Sequence, residues 1–348
     1  MRRVWHDRWV LPSSSPETGR DPWSDDDPPP RTGPAVETDE RRRSGGPRRL
    51  RRGGSPRRSE DAADAVEDEE EEPPVEVRRQ LSLAIGGFAV LLGVGLIVGA
   101  QSSGPGHRMP FTVVVFTVQL LFLLAWTMVT RPPALAVVLG VNAVVAVAAD
   151  VVAVRSAEPR LGPLGYVAIG GVLAAVLGQL IRRVDRARVT DSLRTTTTIT
   201  LGVVGLATLI VLSRMPAGTQ TITVCLTAAA VALLVARAAD AAKAWPRLAP
   251  QVPRGAAGVV GGAMVGTLVS ALLGSYLVLP FTPTKAALIG LVAAVVAVLA
   301  DLAVGYADAS RRMAGELLAG WGVRHVQGPL GAVTMLAPAA YLMCRLLL

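Results

Sequence analysis

Three aspartates stand at the ends of apolar runs in the C-terminal third of the chain: Asp240, Asp301 and Asp308. The last two are seven residues apart, which places them two helical turns apart on one face. Arg247, Arg254, Arg311 and Arg312 lie close to them in the sequence. Carboxylates that converge can hold a hard divalent cation such as magnesium, and guanidinium groups beside them can hold a phosphate or a lipid headgroup. The same residue types also mark the points where membrane helices reach the headgroups, a reading that needs no ligand. A second set of polar residues lies inside apolar runs. Asn142 and Asp150, eight residues apart, share a helix face, with Gln119 on the preceding run and Gln179 on the following one. Such groups are costly in hydrocarbon and serve either a substrate or proton path or hydrogen bonds between helices. Asp150 falls near the outer end of its run and is expected to reach water. Cys225 and Cys344 lie in apolar stretches and read as buried small side chains, and the three histidines are far from ligand spacing.

The order of loops and spans around the three aspartates resembles that of the phosphatidate cytidylyltransferases, or CDP-diacylglycerol synthases, which are polytopic bacterial membrane enzymes. Members of that family carry a Ser-Pro-Lys-Lys-(Ser/Thr)-x-Glu-Gly loop before a glycine-rich span. Leu248-Ala249-Pro250-Gln251-Val252-Pro253-Arg254-Gly255 stands in that place here, without the Ser, the Lys pair or the Glu. The family then has Gly-Asp-Leu-x-Glu-Ser followed by Lys-Arg. This chain has Ala300-Asp301-Leu302-Ala303-Val304-Gly305, with Arg311-Arg312 a few residues on. The closing signature Gly-His-Gly-Gly-x-x-Asp-Arg-x-Asp corresponds to the stretch from Gly322 to Val333, where both aspartates are missing. The resemblance covers roughly residues 237 to 348.

What the resemblance implies is cytidylyl transfer from CTP to a lipid phosphate. That chemistry needs a divalent ion, fixed by carboxylates, to neutralise the triphosphate and stabilise the in-line displacement. With only Asp301 in register the metal site is not intact, so the expectation leans away from an enzyme. No catalytic residue and no cofactor is assigned, and magnesium enters only if a residual site works. The expected function is a non-catalytic protein on a cytidylyltransferase-like scaffold that binds lipid or scaffolds a partner. The alternative is a transporter or permease for a small solute or lipid, which would show broken spans repeated in two halves. No convincing repeat relates 81–213 to 219–347.

The elements that must position these residues follow from composition. Of 348 residues, 51% are apolar, only 18% charged and 4% aromatic, with a mean hydropathy of +0.44. A soluble core of that kind could not cover itself with polar surface, which excludes a soluble globular enzyme, a secreted disulfide scaffold and a nucleic-acid-binding domain. Apolar runs of about 20 residues, the length a helix needs to cross hydrocarbon, recur at 81–100, 111–130, 133–154, 161–181, 196–213, 219–236, 256–280, 285–304 and 328–347. They lack the period-two alternation of a barrel strand. The fold class is therefore all-α: a polytopic membrane protein of about nine transmembrane helices, spanning residues 80–348. In the seventh run Gly258, Gly262, Gly266, Ser270 and Gly274 recur at every fourth position, a small-residue ridge that lets two helix backbones approach closely.

Residues 1–79 differ sharply from this body. They hold 11 prolines, nine arginines between Arg41 and Arg58 and ten carboxylates between Glu60 and Glu76. Such a segment buries too little apolar surface to offset its ordering entropy and reads as a disordered cytoplasmic tail. The lipid bilayer is the expected partner, with anionic phospholipid or a protein partner reached through the tail, and no nucleic acid. With the tail inside, alternate loops hold 13 Lys and Arg on the cytoplasmic side and 5 on the other. The bias predicts a cytoplasmic N-terminus and an outward C-terminus. The 33 arginines against 2 lysines suit a GC-rich genome, and the expected location is a bacterial plasma membrane.

Overall fold

A computed structural model describes residues 77–104, 108–132, 134–181, 186–316 and 320–348. The expected tail lies outside the described residues as far as residue 76, as does His107. The described chain is a polytopic helical membrane protein. Its helices are α1 (Arg79–Gln101), α2 (Met109–Thr130), α3 (Leu135–Arg155), α4 (Gly162–Ile181), α5 (Arg186–Ser213), α6 (Gly218–Lys243), α7 (Ala256–Gly274), α8 (Pro283–Met313) and α9 (Trp321–Leu347). Among the described residues these nine are long and apolar enough to cross a membrane.

Four helices outrun their apolar stretches, α9 among them, since it begins at Trp321, seven residues before residue 328. α5 begins ten residues before residue 196, α6 continues to Lys243 and α8 to Met313, so Asp240, Asp301 and Asp308 are all helical. α7 stops at Gly274, short of the expected 280, and the chain turns before α8 starts at Pro283 behind a Thr282 side-chain cap. Pro suits the first turn of a helix because its missing N–H has no intrahelical partner there. Between α6 and α7 the expected loop contains a small antiparallel hairpin of β1 (Arg247–Ala249) and β2 (Val252–Gly255), in which Arg247 pairs with Gly255 and Ala249 with Val252. This is the one departure from an all-helical chain among the described residues.

α6 is the hub. It packs against α1, α7, α8 and α9, while α2, α3, α4 and α5 pack among themselves and α9 reaches both groups. The small-residue ridge of α7 explains how close the first group comes. A Cβ on Gly262 would lie 2.4 Å from the Ala232 carbonyl oxygen, and one on Gly266 2.5 Å from that of Ala228, both on α6. Farther along, a Cβ on Gly274 would lie 2.4 Å from the Ala286 Cβ of α8. Ser270 fills the space that a side chain at Gly290 of α8 would need. The ridge therefore sits in the groove between α6 and α8, and backbone-to-backbone contact replaces side-chain interdigitation.

Candidate functional site

The C-terminal parts of α6 and α8 carry a buried four-residue ionic network. Arg254, at the end of β2, reaches from the hairpin into the helix bundle and is 1% exposed. Its Nη1 lies 2.9 Å from Asp240 Oδ2 on α6, and its Nη2 lies 2.9 Å from Asp301 Oδ2 on α8. Arg237 of α6 donates from Nη2 to the other oxygen, Oδ1, of Asp301. The backbone N–H of Gly255 donates to Asp240 Oδ1 at 2.8 Å. Two carboxylates thus face two guanidinium groups, and the network is neutral as a unit. Burial draws the Arg254 guanidinium below its ordinary pKa, with Asp301 opposing that effect, and an arginine remains charged throughout.

Glycines let the surrounding backbone close on these groups. A Cβ on Gly258 of α7 would lie 2.9 Å from Asp240 Oδ1, and one on Gly328 of α9 would lie 2.1 Å from Asp301 Oδ1. A Cβ on Gly255 would strike the backbone nitrogen of Trp245 at 2.6 Å. The helix α1 joins through the Ser82 hydroxyl, which donates to the Arg237 carbonyl at 2.9 Å. Five helices and the hairpin therefore meet at this network, α1 through the backbone of Arg237 and the others around the two acids.

This arrangement corrects part of the sequence reading. Asp240 and Asp301 do meet, through Arg254, but Asp308 does not join them. Seven residues along a helix is about 10.5 Å at 1.5 Å per residue, beyond what one ion spans. Asp308 instead pairs with Arg311 at 3.1 Å and with Arg324 of α9 at 3.7 Å. Two arginines therefore pair with Asp308 at this surface, and Glu316 lies beside Arg311, its backbone N–H donating to the Arg311 carbonyl at 2.9 Å. Arg247 lies on β1, at the exposed end of the hairpin. Among the described residues no three His, Cys, Asp or Glu side chains converge as a metal site. The chemistry of the donor set agrees with that geometry. Oxygens of both acids face guanidinium groups, so a divalent ion would have to displace Arg254 to bind, and the residues present do not fit magnesium.

The second polar set is also placed differently from expectation. Asp150 is buried, 5% exposed, and its Oδ1 accepts from Gln119 Nε2 of α2 at 2.9 Å. Gln119 donates as well to the Val203 carbonyl of α5 at 3.1 Å. Asn142 accepts from the Thr200 hydroxyl of α5 at 2.9 Å, and Gln179 donates to the Ser192 hydroxyl. These bonds tie α2, α3, α4 and α5 together. Cys225 and Cys344 are free and buried.

Arg237 and Gly328 belong to the network and Arg324 to the separate Asp308 pairing, and none of the three was among the candidates. Charge counting along the sequence places Arg237 and Arg324 among the 13 loop charges that set orientation. Their one available signal was position: each falls on the extension of a helix beyond its apolar run, where a side chain can turn back toward the bundle. No known protein family, no curated protein and no solved structure matches the chain.

Proposed function

We propose that the chain is a non-catalytic, multi-pass protein of a bacterial plasma membrane, built on a scaffold resembling a phosphatidate cytidylyltransferase, that binds anionic phospholipid at its cytoplasmic face. The observation that carries the reading is the position of Arg254, ion-paired to Asp240 and Asp301 together. In a cytidylyltransferase, acids at the ends of these spans would have to be available to a metal ion. A guanidinium held between them supplies the charge neutralisation that the ion would bring, and it has no open coordination position for a triphosphate. The N-terminus is cytoplasmic and the C-terminus outside, which puts the network and the hairpin on the cytoplasmic side. Lipid binding is supported by the basic residues Arg311, Arg312 and Arg324 near the ends of α8 and α9, of which Arg311 and Arg324 share Asp308, since each basic residue at an anionic surface contributes about 1 kcal/mol.

The test uses the full-length protein in nanodiscs containing phosphatidic acid, supplied with CTP and magnesium. No CDP-lipid is expected, and native mass spectrometry should show anionic lipid retained in preference to phosphatidylcholine. Replacing Arg312 and Arg324 together with Gln should remove that preference. Turnover of CTP would restore the enzyme reading, and solute flux into proteoliposomes would favour the permease alternative.

A further inference from the structure

Asp150 of α3 and Gln119 of α2 are both buried, and their hydrogen bonds do not close. The Gln119 amide donates from Nε2 to Asp150 Oδ1 at 2.9 Å and to the Val203 carbonyl of α5 at 3.1 Å. A primary amide has two N–H donors, so both are spent. The orientation of the amide is fixed as well, since the reverse would set Oε1 against two acceptors. Two oxygens remain. Asp150 Oδ2 and Gln119 Oε1 are closed off from solvent, and no donor among the described residues meets either.

No cation meets the acid. Asp240 and Asp301 each face a guanidinium, whereas Asp150 has a neutral amide. α3 packs against α2, α4 and α5. Of these, α2 carries no ionisable side chain and α4 only Tyr166, which is exposed. The ionisable residues of α5 fall within its first nine residues, at least nine positions before Val203. Arg155 follows on α3 itself, and Arg214, just past α5, donates to the Ala153 and Ser156 carbonyls and to the Ser156 hydroxyl. Neither makes an ion pair with Asp150 among the described residues. An ionised Asp150 would therefore be an uncompensated anion within a membrane span, beside two acceptors that no donor satisfies. A single proton on Oδ2 removes the charge. The resulting O–H can donate to Gln119 Oε1, which closes a second bond between a carboxyl and an amide already joined by the first. A metal ion or an organic cation would need room around these closed-off oxygens, and a proton needs none.

We infer that Asp150 and Gln119 form a proton-binding site, in which one proton carried on Asp150 Oδ2 is donated to Gln119 Oε1. The proton, taken up from water, keeps α3 neutral and ties it to α2 by two bonds, while the other N–H of Gln119 ties both to α5. The site is separate from the Arg254 network, and its test does not depend on the function proposed above.

The experiment is infrared difference spectroscopy of the full-length protein at neutral pH, in a detergent without ester groups, reading the carbonyl stretch of a protonated carboxyl. Wild type minus Asp150→Asn should show one such band, equivalent to one carboxyl per chain. Aspartate labelled with carbon-13 at the side-chain carboxyl should lower its frequency in the unmutated protein. Gln119→Leu removes the acceptor and should raise it. Scanning fluorimetry adds a second readout. Asn at this position places an N–H where the proton is assigned, so Asp150→Asn should melt close to the wild type. Asp150→Leu leaves the amide without its partner and should melt lower. Should Asp150→Asn fail to fold, the isotope label in the wild type and Gln119→Leu decide alone. A wild-type spectrum without the band, or a band that neither the label nor Gln119→Leu moves, means that Asp150 is ionised or does not share its proton with Gln119, and overturns the assignment. Asp150→Asn melting as low as Asp150→Leu overturns it as well.

Discussion

Replacing Arg254 with Met keeps most of the aliphatic stem and deletes the guanidinium between Asp240 and Asp301. Each of its contacts spans 2.9 Å, a gross attraction of about 6 kcal/mol at an effective dielectric of about 20. Most of that is offset by the cost of taking the charges out of water. The loss to expect is therefore the one found when one partner of a buried ion pair is removed, about 3–5 kcal/mol. Asp301 would keep Arg237 and Asp240 would keep the Gly255 N–H, so the uncompensated charge falls on Asp240. For a body of this size the melting temperature should drop by roughly 10 °C, taking about 2–4 °C per kcal/mol. Scanning fluorimetry of the tryptophans in detergent reads the shift. Adding Asp240→Asn removes the unpaired charge and should recover part of the loss. Arg254→Lys should fall between, because one ammonium cannot span two carboxylates as a planar fork does. If Arg254→Met melts with the wild type, or if Asp240→Asn deepens the loss, the acids are not held by Arg254 and the argument against a metal site fails with it.

Gly262→Leu or Gly266→Leu forces a branched side chain against a carbonyl of α6 that cannot move aside. It should cost at least the upper part of the ~1–3 kcal/mol typical of overpacking, whereas Val265→Leu, off the ridge and partly exposed, should be mild; equal melting temperatures for the two would place the ridge toward lipid. Gly328→Ala should also lower the melting temperature, since the added methyl meets Asp301 Oδ1, and Gly322→Ala, with nothing near it, is the control. Single cysteines at Thr190 and Leu346, in a background without Cys225 and Cys344, should label from opposite sides of the membrane, and labelling from one side would defeat the orientation.

The apolar runs were legible in one dimension because span length and hydropathy are local quantities, and the α7 ridge because its period of four is visible in a single helix. The meeting of Asp240 with Asp301 was half legible. Two acids at the ends of neighbouring spans could be seen, but their counter-ions could not. Arg254 lies in a hairpin of seven strand residues, too short and too Pro-rich to register as strand. Arg237 sits on the same helix as Asp240 yet pairs with Asp301, 64 positions away. Nothing in local pattern distinguishes an arginine that faces headgroups from one that turns inward. Asp150 shows the reverse error. Nearness to a helix end suggested water, whereas Asp150 is buried where α3 packs against its neighbours and meets Gln119, 31 positions earlier on another helix.

The ionic network also has a temporal side. A ribosome delivers α6 with Arg237 and Asp240 first, then Arg254 soon afterwards, while Asp301 emerges about 60 residues behind Asp240. At about 5–20 residues per second this is a delay of several seconds. During it the early half of the network carries two cations and one anion. On the orientation proposed above, the surplus positive charge opposes passage of this end of α6 through the bilayer and keeps the hairpin on the cytoplasmic side. Arrival of α8 then neutralises the cluster, and α9, whose Gly328 abuts Asp301, can close over it only last. A truncation before residue 301 would accordingly leave α1 to α7 in place with Arg254 still on Asp240 but Arg237 without its carboxylate, so the network would stay charged.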